Sequence, residues 1–402
     1  MFSVYDIILI SDKETIFSSE EPITKDRFFD SKLEQVTLRH IIHYGTNRYP
    51  NLIRRLDLNT SQVHLRELNT GITFTHGVSL INGTGVRPVR RDAIKEFQFL
   101  SQYKQTSSII EWNDSVDLLL PNVTDMQTLI SLAKMSSNAY IKCDDDDWYD
   151  LGKHYNLNST FGWEDDGIRG YVFGNKNNSL MVIAIKGSSV KFNDGGPTEE
   201  QDRINDNRLF SCCCKIGWPW KPVCNCHKDN NECDLDCVQD SVDERKLYYN
   251  SILEMFENIT KEYEDENLQV WLTGHSLGGT LGSLVGSSYG IPTVTFESPG
   301  DRMAASRLHL PRPPALPDDK MNIWHVGNNA DSGYAMESKC HIGNVCLFEV
   351  AEKLDWNVNA RNHPIMKNIN EVLIPWEKDY NFTIPECKPE KDCVDCEKYK
   401  FV

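Results

Sequence analysis

"VWLTGHSLGGTLGSL", residues 270–284, sets a serine between two glycines directly after an apolar run. Gly274-His275-Ser276-Leu277-Gly278 fits Gly-x-Ser-x-Gly, with a strand-like segment before it and a helix of small residues after it. In a nucleophile elbow the chain turns sharply from strand to helix and holds the serine strained, its Oγ exposed. Glycines flank it because Cβ atoms there would strike neighbouring backbone. Gly278, Gly282 and Gly286 recur every four residues and so share one helical face. Each costs about 1 kcal/mol in helix propensity against alanine, a loss that only close packing of helix on sheet offsets. The helix is therefore expected to lie tight on the strand, its partly positive N-terminus aimed at Ser276.

Outward from this point the pattern alternates. Before the elbow, residues 243–267 read as an amphipathic helix with Leu247, Ile252, Met255 and Phe256 on one side. Further back, "GIRGYVFGN" (167–175) and "SLMVIAIKGSS" (179–189) are β-rich runs joined by turn residues, a hairpin signal. The second run is almost continuously apolar, as suits a strand buried on both faces. Residues 121–140 carry Met126, Leu129, Ile130, Leu132 and Met135 at helical spacing, with a start near Pro121 and Asp125. Downstream, "IPTVTFESPG" and "MNIWHVGNN" are short β-rich runs and "HPIMKNINEVLI" (363–374) is helical. Such alternation predicts an α/β fold, a mainly parallel sheet covered by helices on both faces. Residues 1–120 look irregular and are predicted as an N-terminal extension packing on a core domain of residues 121–402. Residues 190–240 are polar, Gly-rich and aperiodic, a lid-like insertion.

The 402 residues suffice for a large core, and no stretch approaches eighteen consecutive apolar residues. A net charge of −17 excludes nucleic acid as a partner and opposes anionic lipid at neutral pH, although eleven histidines would offset part of it in an acidic compartment. Eight of the thirteen cysteines lie between Cys143 and Cys237 and five between Cys340 and Cys396. Glycosylation sequons occur at Asn59, Asn82, Asn113, Asn122, Asn158, Asn177, Asn258 and Asn381. Clustered cysteines and sequons together indicate a secretory, oxidising environment. "MFSVYDIILI", with Asp6 in its middle and no basic head, reads poorly as a signal peptide, so a preceding N-terminal segment is expected.

The cysteine-rich stretch 212–237 offers Cys224, Cys226, His227, Cys233 and Cys237 as formal zinc ligands, but the spacing does not match a paired Cys-x2-Cys ribbon. Disulfides are favoured, with Cys212, Cys213, Cys214, Cys224, Cys226, Cys233, Cys237, Cys340, Cys346, Cys387, Cys393 and Cys396 as candidates. They would stiffen an insertion with no core of its own. No metal or cofactor is expected. Trp218 and Trp220 suit either a membrane interface or packing under the lid.

A serine nucleophile needs a base, and the base needs an orienting acid. His363 opens the last helix after a late loop, whereas His309, His325 and His341 remain as alternatives. Asp331 follows a β-rich run, where a sheet presents functional groups, with Asp318, Asp319 and Asp355 as competitors. For an oxyanion, one N–H donor is expected from Leu277 and the other from Ser188, after the strand in "AIKGSS".

At these residues the chain resembles the class 3 lipases, and within them the fungal autophagy-related vacuolar phospholipases that lyse autophagic bodies. The resemblance rests on "HYGTNRYPNLIRRLDL", "PNVTDMQTLISLAKMSSNAY", "GWEDDGIRGYVFG", "IKGSS", "GGPTEEQDRINDNRLFSCCC", "VWLTGHSLGGTLGSL", "GYAMESKCHIG" and "NHPIMKNINEVL", which follow in one order over most of residues 35–375. It implies an alpha/beta-hydrolase fold, hydrolysis of phospholipid esters in a membrane, and delivery to the vacuole lumen by an N-terminal membrane anchor. It also implies Ser276 as nucleophile, Asp331 as acid and His363 as base. Two departures stand out: the anchor is not in this sequence, and Asp331 runs almost directly into Gly333-Tyr334, where the family carries a longer loop. Sterol or neutral-lipid esters, or peptides, are the rival substrates, and a non-catalytic membrane-binding module is the rival class.

Overall fold

The computed structural model describes residues 32–44, 53–102, 109–140, 167–189, 198–214, 222–228, 231–242, 247–263, 268–332 and 337–402. The strands in the first half are β1 (Lys32–Tyr44), β2 (Ile53–Asp57), β3 (Thr75–Pro88), β4 (Trp112–Pro121), β5 (Ile168–Gly174) and β6 (Leu180–Ile185). Later come β7 (Glu232–Cys233), β8 (Gln269–His275), β9 (Thr293–Phe296), β10 (Ile323–Asn328), β11 (Asn344–Phe348), β12 (Lys388–Pro389) and β13 (Lys400–Phe401). The helices that matter below are α1 (Thr60–Thr70), α2 (Asp92–Gln102), α3 (Met126–Asn138), α4 (Glu199–Phe210), α5 (Leu235–Asp240), α6 (Tyr248–Glu262) and α7 (Leu277–Tyr289).

One eleven-stranded sheet runs in the order β12-β11-β10-β9-β8-β6-β5-β1-β3-β4, with β2 paired to β1. From β6 to β11 the five strands are parallel. The side chains of β6 show why this centre is apolar throughout: Leu180, Val182 and Ala184 enter one core, while Met181, Ile183 and Ile185 enter the other. The first core packs under α3 and the C-terminal helical segment, which contributes the fully buried Trp376; the second packs under α6 and α7. Each large side chain so buried stabilises the fold by about 1.5–3 kcal/mol. Asp125 caps α3 as its sequence suggested, accepting from the Thr128 N–H at 3.0 Å.

The N-terminal flank differs from the expectation. The strands described within residues 32–121, β1 to β4, are not an extension packing on the core but part of the same sheet, and residues 31–402 form a single compact unit. β1 joins β5 and β3 antiparallel, and β3 joins β4 antiparallel, so parallel pairing is confined to the centre. These strands escaped sequence reading because β1 and β4 are exposed at one end and interrupted by polar residues, leaving no clean period. The insertion also holds more order than its aperiodic sequence implied: α4 spans twelve residues and buries Gln201, Asp202, Asn205, Asp206 and Asn207. A helix whose inward face is polar carries no hydrophobic period to detect.

All twelve candidate cysteines are paired: Cys212–Cys396, Cys213–Cys233, Cys214–Cys224, Cys226–Cys237, Cys340–Cys393 and Cys346–Cys387. Three of these bonds tie the C-terminal tail to the body, and β13 pairs in parallel with β7 of the insertion. Insertion and tail therefore form one cross-linked layer. Asn59, Asn82, Asn113, Asn177, Asn258 and Asn381 are exposed and Asn122 is half-buried, while Asn158, Cys143, Trp218 and Trp220 lie outside the described residues. Among the described residues, no helix is long and apolar enough to cross a membrane.

Candidate active site

β8 ends at His275 and α7 begins at Leu277, which leaves Ser276 alone between them at φ 55°, ψ −132°. A positive φ at a residue with a side chain costs on the order of 1–3 kcal/mol, so its surroundings must hold it. They do: the Ser276 N–H donates to the Phe296 carbonyl at 3.0 Å and the Thr280 N–H to the Ser276 carbonyl at 3.2 Å. A Cβ on Gly274 would stand 2.5 Å from the Gly278 carbonyl carbon. One on Gly278 would collide with the Ile185 carbonyl oxygen and lie 2.7 Å from the Lys186 carbonyl carbon, at the end of β6. The glycine face of α7 is not uniformly required, however. A Cβ on Gly282 would meet nothing nearer than Ile185 Cδ1 at 3.5 Å, an ordinary contact.

The structure brings Ser276, His363 and Asp331 together. His363 Nδ1–H donates to Asp331 Oδ2 at 2.7 Å, which fixes the tautomer and leaves Nε2 as acceptor, 3.0 Å from Ser276 Oγ. Ser276 and Asp331 are buried, while the His363 side chain is 20% exposed. Asp331 stands three residues beyond β10, and His363 follows a short turn at Ala360–Asn362. These two loops are laced together: the Asn359 N–H donates to the Ala330 carbonyl at 3.0 Å and Asn362 Nδ2 to the same carbonyl at 2.8 Å.

The competing residues are engaged elsewhere. His325 is buried in β10, where Nε2–H donates to the Ile342 carbonyl at 2.8 Å and Nδ1 faces Thr295 Oγ1 at 2.9 Å. His341 donates to the Ser298 carbonyl at 3.1 Å and faces Glu390 at 3.4 Å; His309 occupies a turn at φ 51°. Asp318 pairs with Arg302 and Arg312, and Asp319 and Asp355 are exposed.

His275, unremarked in the sequence beyond its place in the motif, holds His363. Its Nε2–H donates to the His363 carbonyl at 2.9 Å, and its Nδ1 accepts from Tyr140 O–H at 2.9 Å. Burial first, and then the neighbouring His363, push its pKa down to about 3, so it remains a neutral donor across the acidic range.

Leu277 follows Ser276 directly, and Ser188 follows Gly187, which packs against Ser276. Leu277 opens α7, and Gly187 packs so close that a Cβ there would be 3.2 Å from Ser276 Cβ. The 186–189 segment is locked by a buried polar network. Lys186 Nζ donates to the Gly187 carbonyl at 2.9 Å and to Ser189 Oγ at 2.8 Å, and faces Asp202 at 3.7 Å. Ser188 Oγ donates to Asp206 at 2.9 Å, and the Ser189 N–H donates to Asp202 at 2.8 Å. Burial pushes Lys186 down to about 8 against the pull of Asp202, and burial together with the Asp202 charge pushes Asp206 up to about 8. Nothing in the one-dimensional pattern signalled this network, because its members gather from the loop after β6 and from α4.

Sequence reading also passed over Glu297, in the loop directly after β9. Both its carboxylate oxygens accept from the Asn328 N–H, at 3.1 and 3.2 Å, and burial together with the Asp331 charge holds its carboxyl well above the usual carboxylate range. An acidic residue at the C-terminal end of a strand beside the nucleophile strand was the available signal.

The arrangement can perform acyl transfer: an activated hydroxyl, an imidazole base, an orienting carboxylate and adjacent backbone donors. A family model described as Lipase (class 3) matches residues 223–291. A putative lipase ATG15 of Scheffersomyces stipitis is 42% identical over 323 residues, covering 73% of this chain and 51% of that protein. One of Meyerozyma guilliermondii is 34% identical over 461 residues, covering 95% of this chain and 80% of that protein. This chain thus spans about half the length of the first relative. A triacylglycerol lipase of Penicillium expansum aligns in structure at 16% identity, with a TM-score of 0.31, over 56% of this chain and 80% of that one. With 34% identity to the Meyerozyma guilliermondii relative sustained over 95% of its length, and its elbow on an alpha/beta-hydrolase sheet, the chain belongs to the ATG15-like class 3 lipase family.

Proposed function

We propose that this chain is a serine phospholipase of the vacuole lumen, one that cleaves acyl esters of membrane phospholipids and so disintegrates vesicles such as autophagic bodies. The observation that carries the reading is the unbroken hydrogen-bond path from Ser276 Oγ through His363 to Asp331. The ATG15 name of the relatives supports the autophagic setting, and six disulfides suit an oxidising lumen. In the proposed cycle Ser276 Oγ attacks the ester carbonyl as its proton passes to His363 Nε2. Asp331 stabilises the imidazolium through Nδ1–H. The Leu277 and Ser188 N–H groups bind the oxyanion, each contributing on the order of 10²–10³ in rate. His363 then protonates the departing alcohol oxygen, and water, activated by the same imidazole, hydrolyses the acyl-enzyme.

Ser276→Ala is expected to lower kcat on phospholipid vesicles by on the order of 10⁵–10⁶ with the fold unchanged. A panel of phospholipid, triacylglycerol and sterol esters identifies the substrate class. Full turnover by the variant defeats the triad reading, and absence of labelling of the wild type by a fluorophosphonate favours a non-catalytic membrane module.

A further inference from the structure

Ala330 and Asn362 stand immediately before the acid and the base in sequence, and a closed ring of hydrogen bonds joins them. The Ala330 N–H donates to Oδ1 of Asn328, the last residue of β10, at 3.0 Å. Asn328 Nδ2 donates to Asn368 Oδ1 at 2.7 Å, and Asn368 Nδ2 donates to the Asn362 carbonyl at 2.8 Å. Asn362 Nδ2 closes the ring on the Ala330 carbonyl at 2.8 Å. Every member is buried, none of them more than 5% exposed.

The direction of each bond follows from its neighbours, which is how the two ends of an amide are told apart. Asn328 Oδ1 faces a backbone N–H and so accepts, which turns Nδ2 toward Asn368; the same Nδ2 donates to the Glu297 carboxyl at 3.0 Å. Asn368 can meet that donor only with its oxygen, so its own Nδ2 faces the Asn362 carbonyl. Lys367 Nζ, a donor only, holds Asn362 Oδ1 at 2.8 Å and thereby directs Asn362 Nδ2 to Ala330. Asn368 also opens the π-helical turn Asn368–Leu373, beyond which the Ile374 N–H reaches back to the Ile369 carbonyl. Turns of this kind are rare and frequently mark functional sites.

We propose that Asn368 is a positioning residue for the triad: with Asn328 and Asn362 it fixes the peptides that carry Asp331 and His363, so that their side chains are aligned before substrate arrives. The inference rests on the triad reading above. Asn368 acts through the chain, touching neither the ester nor the reacting atoms. Asp331 and His363 come from separate loops, and their side chains meet at 2.7 Å only while those loops keep register. A misplacement of about 1 Å between such groups costs on the order of 100-fold in rate. Amides suit the task because they carry no charge at any pH. The ring therefore keeps its bonds in an acidic medium, where a carboxylate in the same place would take up a proton.

The test is hydrolysis of a soluble short-chain ester, with kcat normalised to the sites that a fluorophosphonate labels at completion, so that unfolded protein is not counted. Asn368→Leu removes both polar atoms at similar volume. Its kcat should fall about ten- to a hundredfold with KM within about twofold of wild type. Asn368→Asp keeps the accepting oxygen but donates to the Asn362 carbonyl only while protonated, a form that burial favours. Its kcat relative to wild type should recover toward one at the acid end of the pH profile and decline to the level of Asn368→Leu as pH rises. Taking the ratio divides out the ionisable groups around the ring, Glu297, Asp331, His363 and Lys367, which both proteins share. Undiminished kcat in Asn368→Leu, a loss that lies in KM instead, or a ratio for Asn368→Asp that does not change with pH overturns the proposal. If Asn368→Leu does not fold, the Asn368→Asp ratio decides. Failure of the triad reading would be seen separately, as full activity in Ser276→Ala.

Discussion

Two glycines on one face of α7, a single turn apart, should respond oppositely to the same added methyl group. Gly282→Ala places its Cβ 3.5 Å from Ile185 Cδ1, 3.7 Å from Leu272 Cβ and 3.8 Å from Thr293 Cγ2, all ordinary contacts. It gains about 1 kcal/mol of helix propensity and up to about 0.8 kcal/mol from the buried methyl, for a net stabilisation of roughly 1–2 kcal/mol. Gly278→Ala makes the same gains but drives its Cβ to 2.7 Å from the Lys186 carbonyl carbon and into the Ile185 carbonyl oxygen. Those are backbone atoms of the sheet with no rotamer to escape into, so relief requires moving β6 away from α7. Overpacking of this kind costs about 1–3 kcal/mol against movable side chains and more against backbone, enough to reverse the sign. Displacing Lys186 also shifts the Gly187–Ser188 segment beside Ser276, so ester hydrolysis should fall by about tenfold or more in Gly278→Ala at a temperature where it is fully folded. Urea unfolding with the disulfides intact measures the two shifts; by heat, 1 kcal/mol corresponds to only about 1 °C for a unit of about 370 residues. If both substitutions stabilise, or both destabilise to the same degree, the account of how the elbow is packed is refuted.

The buried acid in α4 makes stability depend on pH with a definite sign. Asp206 titrates at about 8 in the fold and near 4 in an unfolded chain, so the folded state holds an extra proton across that window. Its contribution is full below about pH 4 and is lost as pH rises through about 8. Asp206→Asn should therefore flatten the fall in urea midpoint between about pH 5 and 8; equal slopes for variant and wild type would count against this. At the tail, replacing both Cys212 and Cys396 by serine opens a loop closed across 184 residues. The expected cost is about 2–5 kcal/mol. Amide exchange at Lys400 and Val402, whose N–H groups donate to Asn231 and Cys233, should accelerate, and unchanged protection would show that β13 holds without the bond.

Much of the site was legible in the chain because it is local. An apolar strand, a Gly-x-Ser-x-Gly turn and a small-residue helix are consecutive in sequence, and backbone sterics at Gly274 and Gly278 leave few other ways to arrange them. Late loops after β-rich runs singled out Asp331 and His363 as candidates, but ranking them above Asp318 or His341 needed more than spacing. Strand order and loop contacts decide that: β8 and β10 flank β9, which brings Ser276 and Asp331 to neighbouring strand ends, and hydrogen bonds from Asn359 and Asn362 to the Ala330 carbonyl bring the His363 loop to Asp331.

By itself, then, the sequence determined the elbow, the buried central strands, the Asp125 cap and the use of its clustered cysteines in disulfides, all of which follow from residue type and short-range pattern. Only the tertiary structure decided that the strands described within residues 32–121 extend the same sheet, that α4 turns a polar face inward to Lys186, and which cysteines pair. Each of these depends on groups far apart along the chain meeting where water is excluded. There the cost of burying a charge or an unpaired donor is settled by its neighbours in space, and periodicity along the backbone contains no record of them.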